Sequence, residues 1–167
     1  ICIDDIAHAL SLLCRGNGHV KTFFSVGQHC ILCAKEAMAR GLPRRLALAA
    51  LLHDASECYM SDVPRPFKKS LPKYQRQEEK LLCIIYEKYL GTGLSAKEEQ
   101  QLKNIDNDLL WYDLKFLLNE EPPQPKPSVC VPIDYTVRPF QEVEDEYRML
   151  FKQLRADIHN SDLLDHD

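Results

Sequence analysis

The stretch LLHDASECYMSDVPRPFKK, Leu51 to Lys69, ends an apolar, alanine-rich run on His53-Asp54, adds Glu57, and sets Asp62 ahead of two prolines and a basic cluster. Ionisable groups are rarely fully buried unless paired or metal-bound, so a helix that only packs would not finish this way. His53 and Glu57 stand at i and i+4 and would project to one side of a helix. Adjacent helical residues diverge by about 100°. His53 and Asp54 can therefore share an ion only where their helix end faces a cavity closed by other helices. Imidazole with carboxylate suits a divalent transition metal such as manganese, iron, cobalt or zinc. Further ligands must come from elsewhere, and two donors fit: His29, in FFSVGQH, and Asp106, one position beyond the apolar Ile105. Taken singly, His29 also reads as a hydrogen-bonded core histidine and Asp106 as a solvated helix residue.

The elements that must position these groups are helical, because the apolar periodicity is helical almost throughout and no strand alternation appears. Asp4 or Asp5 is expected to cap a short helix through about Cys14, ended by the glycines of RGNGH, Arg15–His19. Ser25-Val26-Gly27-Gln28 reads as a capping box opening a helix to about Arg40, with Gly41 as its stop. Pro43 suits the first turn of a third helix, continuing through the His53-Asp54 pair to about Cys58 or Met60. SDVPRP is a turn, and another helix spans roughly Pro72 to Tyr89. Ser95-Ala96-Lys97-Glu98 is a second capping box, opening a helix to about Leu118. Its expected stripe is Leu102, Ile105, Leu109 and Phe116, with Leu110, Leu114 and Leu117 beside it. Glu120–Pro127 is too proline-rich for a helix and reads as a loop. A last amphipathic helix is expected from about Pro139 to Arg155, with a frayed tail after about Ile158. These elements make one all-α domain over residues 1–167, a bundle of five to seven helices.

Composition narrows the function classes. The 167 residues are 45% apolar and 28% charged, with net charge -4, so there is no broad basic footprint for nucleic acid. No apolar run approaches the ~20 residues needed to span a bilayer, and no signal peptide is visible, although the first residue is Ile1 and native residues could precede it. Membrane and nucleic-acid partners are therefore not expected. Seven cysteines, an odd number, several of them inside helical patterns, read as reduced thiols of a cytoplasmic protein. Cys30 and Cys33 form a CxxC that lacks a second pair or a thioredoxin-like context, and it reads as incidental.

The motifs QH at Gln28-His29, LLHDASE at Leu51–Glu57, SDVPRPFK at Ser61–Lys68 and KNID at Lys103–Asp106 resemble, in order, those of the HD-domain phosphohydrolases. The likeness is nearest to the 5′-deoxynucleotidase-like branch and its phage relatives, including deoxynucleoside triphosphate hydrolases, and runs from about Asp5 to Leu118. It implies an HD-domain helical bundle with His29, His53, Asp54 and Asp106 as ligands of one divalent ion. Asp108 and Asp113 are near alternatives to Asp106, Asp113 being two turns on. Glu57 would orient water or protonate the leaving oxygen, and Asp62 would hold substrate or the attacking water. Ser61 departs from the glycine the family often has there.

Arg15, corresponding to the family's substrate-contacting arginine, with Asn17, Arg65, Lys68 and Lys103, would contact substrate; His19 could touch base or sugar. Phe23 and Phe24 read as packing rather than as base stackers. The implied activity is hydrolysis of a deoxynucleoside monophosphate to deoxynucleoside and phosphate. The rival is a triphosphohydrolase of phage type, releasing triphosphate and using additional magnesium or manganese. A non-catalytic metal- or nucleotide-binding domain is the third reading, disfavoured by the presence of Glu57 and Asp62. The resemblance also implies a homodimer or higher homo-oligomer in a bacterial or phage-infected cytosol. Val143, Tyr147, Leu150, Phe151 and Leu154 of the last helix would either pack internally or form its face.

Overall fold

In the computed structural model, which describes residues 1–164, the chain is all-α. The long helices are α1 (Ile3–Leu12), α2 (Val26–Ala39), α3 (Arg44–Leu52), α6 (Pro72–Leu90), α7 (Ala96–Phe116) and α8 (Phe140–Leu164). Two single-turn helices, α4 (Glu57–Met60) and α5 (Arg65–Lys68), lie between α3 and α6. Among the described residues the only β feature is one antiparallel bridge, Cys14 to Ser25, which closes the neck of the excursion carrying Arg15. No helix among them is long and apolar enough to cross a membrane.

Both capping boxes form. Ser25 Oγ accepts from the Gln28 N–H while the Gln28 side chain accepts from the Ser25 N–H, and Ser95 with Glu98 repeats the pattern. Each pair satisfies two amide donors that a helix start otherwise leaves open. Asp4 and Asp5 are not caps: they lie within the first turn of α1, whose N-cap is Cys2. Gly41 and Gly91 take the left-handed conformation that ends α2 and α6.

The centre of the bundle is α3, where every residue from Leu46 to Leu52 is buried against α2, α6, α7 and α8. Its alanines let α2 approach closely, and α1 also packs near α2. A Cβ on Gly27 would stand 3.2 Å from the backbone of Leu10 and Ser11. Val143, Tyr147, Leu150, Phe151 and Leu154 of α8 are buried within the chain, and the Tyr147 hydroxyl donates to the Leu51 carbonyl at 2.6 Å. Internal packing thus claims the face that could instead have served a dimer. α8 continues to Leu164, past the expected end at Arg155; the last three residues of the expected frayed tail lie outside the described residues.

Two expectations about elements are corrected. The third helix does not run through His53-Asp54: α3 stops at Leu52, a turn carries residues 53–56, and α4 starts at Glu57. The i, i+4 argument for His53 and Glu57 therefore lapses. The buried stripe of α7 is Leu102, Ile105, Leu109 and Asp113, while Phe116 is 49% exposed. A carboxylate occupies the slot assigned to an aromatic ring.

Candidate metal centre

Three segments bring their donors to one place. α2 opens immediately after the neck, so its first turn holds His29, which is fully buried. After α3 the backbone goes on in tight turns, with His53 still at helical φ and ψ, and His53 Nε2 lies 3.3 Å from Asp54 Oδ2. α7 supplies Asp106, whose Oδ1 is 3.1 Å from His29 Nε2 and 3.8 Å from His53 Nε2. The imidazole centroids are 5.4 Å apart. The four sequence-expected ligands are thus linked pairwise, His29 and His53 to Asp106 and His53 to Asp54, from two helices and one turn.

The outer nitrogens of both rings face acceptors. His53 Nδ1 lies 2.7 Å from the Ala50 carbonyl, so it carries the proton, and buried Nε2 has no hydrogen-bond partner. His29 Nδ1 faces Asp113 Oδ2 at 3.4 Å, too loosely aligned to count as a hydrogen bond. For His53 this leaves Nε2 free to face inward as a donor, whereas His29 Nε2 is hydrogen-bonded to Asp106 at 3.1 Å and would have to give up that proton to bind a metal. The residues therefore fit a divalent ion.

Two further groups join the wall. Cys33 Sγ lies 3.5 Å from His29 Nε2, and His29, Cys33 and His53 form a buried group that could hold a metal ion. Cys30 makes a second such group with His53 and Asp54. The CxxC set aside as incidental faces the site with both thiols. Its signal in the sequence was Cys33 at i+4 from His29, which puts the two on one face of α2.

Charge balance is tight. Burial opposes protonation of His53, but Asp54, the two thiols and Asp106 outweigh it and hold its pKa well above 6.5. Burial would raise the Asp106 carboxyl, yet the hydrogen bond to His29 and the nearby His53 imidazole keep it well below 3.8. Glu57 behaves oppositely: burial first, then the charges of Asp54 and Asp62, push it well above 4.5. Its Oε2 is buried without a partner, and Glu57 lines a cavity of about 380 Å3 together with Leu13, Cys58 and Ser61. Asp62 is raised by burial as well, while its Oδ2 accepts from the Gly16 N–H at 3.3 Å.

The expected substrate contacts divide. Arg15 reaches inward, 3.6 Å from Asp54 Oδ2 and 3.1 Å from Asp113 Oδ2. Lys68 lies 3.8 Å from Glu57 and 2.8 Å from Glu78. Arg65 caps Asp106 from the solvent side and also donates to Asn107. Asn17 and Lys103 are exposed, and Asn17 owes its place to a left-handed turn with Gly16. Phe24 is buried against Tyr135 and Asp108 pairs with Arg40, both of them packing or surface roles.

Asp113 lies beside Arg15 and His29 Nδ1 and accepts from the Tyr135 hydroxyl at 2.9 Å. Tyr135 sits in the connection between α7 and α8 and carries no sequence signal. Asp113 did have one, since 102, 105, 109 and 113 continue a single helical face.

Comparison with known proteins adds likeness without an activity. No family model matches the chain. It is 47% identical over 89 residues to the uncharacterised protein YfdR of Escherichia coli K12, covering 53% of this chain and 47% of that one. It is 34% identical over 111 residues to an uncharacterised protein of Rhodobacter capsulatus, covering 62% of this chain and 56% of the other. The chain spans about half the length of the curated relatives it matches.

Proposed function

We propose that the chain is a divalent-metal-dependent phosphohydrolase of the HD-domain type, acting on deoxynucleoside monophosphates. The observation that carries the reading is the pairing of two unlike sites. Beside a cluster of two buried or nearly buried histidines, one of them anchored through Nδ1, and two carboxylates lies a buried glutamate with an unpartnered oxygen. A structural ion would need the first and not the second.

His29, His53, Asp54 and Asp106 hold the ion. Bound there, a divalent ion supplies a Lewis acid for a phosphoryl oxygen and makes a water nucleophilic at neutral pH. Glu57 holds or moves the proton at Oε2: a carboxyl with a raised pKa can serve as the acid that protonates the leaving 5′ oxygen. Asp62, held by the Gly16 amide, orients water or substrate. Arg15 and Lys68 balance the phosphate charge, each exchanging part of its present pairing with acidic side chains for phosphate oxygens. In the overall step water oxygen bonds to phosphorus, the P–O5′ bond breaks, and the leaving oxygen takes a proton.

The test is a product assay on metal-stripped protein re-supplied with zinc, cobalt or manganese, using deoxynucleoside mono- and triphosphates. Free phosphate from monophosphates supports the proposal. Intact triphosphate from triphosphates replaces it with the triphosphohydrolase reading, and silence throughout, with metal bound, leaves a non-catalytic binding domain. Glu57→Gln should keep the metal and lose at least ~100-fold in turnover, the scale of a lost proton-transfer group.

A further inference from the structure

We propose that Cys33 is a direct ligand of the metal, its thiolate adding a sulfur donor to the histidines and carboxylates and tuning the site for zinc-like ions over manganese and magnesium. The inference rests on the metal-site reading above, though not on the identity of the substrate.

Three observations carry it. His29 and Cys33 are one helical turn apart on α2, so both side chains leave the helix on the same face. Cys33 is fully buried, and its Sγ stands 3.5 Å from the nitrogen of His29 that points inward. Ligands at the usual zinc distances of about 2.1 Å for nitrogen and 2.3 Å for sulfur, in tetrahedral arrangement, lie about 3.6 Å apart. The observed separation suits two donors on one ion and is equally that of a thiol–imidazole hydrogen bond, which metal binding would replace.

The third observation is His53 Nε2, buried, 3.3 Å from Asp54 Oδ2 but with no hydrogen-bond partner, in the same group as Cys33 and His29. A thiol packed as mere filler would not need an open imidazole nitrogen within its reach. Cys30 is the natural comparison. It groups with His53 and Asp54 but not with His29, its neighbour on α2, from which it diverges by about 100°.

Thiolate is a soft donor and favours zinc or iron(II), whereas carboxylate and water suit magnesium and manganese. On binding, Cys33 forms a metal–sulfur bond and releases its thiol proton to solvent.

The test uses the full chain, stripped and loaded with one equivalent of zinc or cobalt(II). X-ray absorption at the zinc edge should show a sulfur neighbour near ~2.3 Å in the unmodified protein, a result that needs no variant. The cobalt protein should show a sulfur-to-cobalt charge-transfer band in the near ultraviolet. That band should be lost in Cys33→Ser and kept in Cys30→Ser, each checked for helical content by circular dichroism. Zinc bound by nitrogen and oxygen alone overturns the inference, as does a band that survives in Cys33→Ser or vanishes only in Cys30→Ser. Phosphate release without a sulfur ligand would remove Cys33 from the site and leave the phosphohydrolase reading standing. Absence of any bound metal would remove both.

Discussion

At the scale of single residues, the proposed metal site would depend as much on the groups behind its ligands as on the ligands. Asp113 is the clearest case, since it meets Arg15, His29 Nδ1 and the Tyr135 hydroxyl while almost fully buried. Asp113→Asn keeps the shape and removes the charge that orients His29 and holds Arg15. Metal affinity should fall about 10- to 100-fold, the usual cost of losing an outer partner of a ligating histidine. Competition against a chromophoric chelator measures it, and an unchanged affinity would make Asp113 a mere core carboxylate. Ser61 shows the cost of a backbone position. Its φ of 73° with ψ of 157° belongs to a region that suits glycine and strains a residue with a Cβ. Ser61→Gly should therefore raise unfolding stability by about 1 kcal/mol in denaturant melts, against a flexibility cost of similar size in the unfolded chain. Residue types announced the histidines and carboxylates. They did not announce Cys33, because a cysteine inside a helical pattern looks like any small apolar residue.

At the scale of elements, the change from α-helix to tight turns after Leu52 stands out, because the adjacent His53 and Asp54 lie in it with Nε2 and Oδ2 3.3 Å apart. Periodicity could not show it: the alanine- and leucine-rich run has helical propensity straight through to Met60, and no proline or glycine marks the stop. The capping boxes were legible for the opposite reason, each being a local exchange of hydrogen bonds written in four consecutive residues. The connection between α7 and α8 was read as a loop and no more, yet it is tied down. Glu36, buried on α2, accepts from the N–H groups of Cys130 and Val131 and pairs with Arg40. Burial alone would raise the Glu36 carboxyl, but these donors outweigh it and hold its pKa below 4.5. A depressed folded pKa means stability that is full above the unfolded value of about 4.5 and is lost as pH falls through the folded one. Glu36→Gln should cost about 1–3 kcal/mol at pH 7, where amide donors lose their carboxylate. The gap between variant and unmodified protein should narrow in acid below about pH 4.5. A gap independent of pH would mean that Glu36 acts by packing alone.

At the scale of the whole molecule, the site is where the chain's distant parts are joined. Arg15 comes from the neck between α1 and α2, His29 and Cys33 from α2, His53 and Asp54 from the turn after α3, and Asp106 and Asp113 from α7. Tyr135 adds the connection to α8. The helical class and the approximate element order were readable because each helix carries its own periodicity. Which carboxylate faces inward was not, since it depends on how α7 is rotated against α2, a property of packing rather than of local sequence. This convergence has a thermodynamic consequence: an ion held by side chains from α2, α3's end and α7 binds the folded chain and has no equivalent site in the unfolded one. At a concentration 100 times its Kd it should add about 2.7 kcal/mol, which for a domain of this size is roughly 5–10 °C in Tm. Differential scanning calorimetry of the stripped chain, with zinc added and then removed by chelator, measures the shift. Asp106→Asn should abolish most of it, measured against the variant's own metal-free Tm, because the substitution also removes the charge that pairs with His29, His53 and Arg65. A zinc shift that persists in Asp106→Asn would place the ion away from α7 and break the link between the site and the joining of the helices.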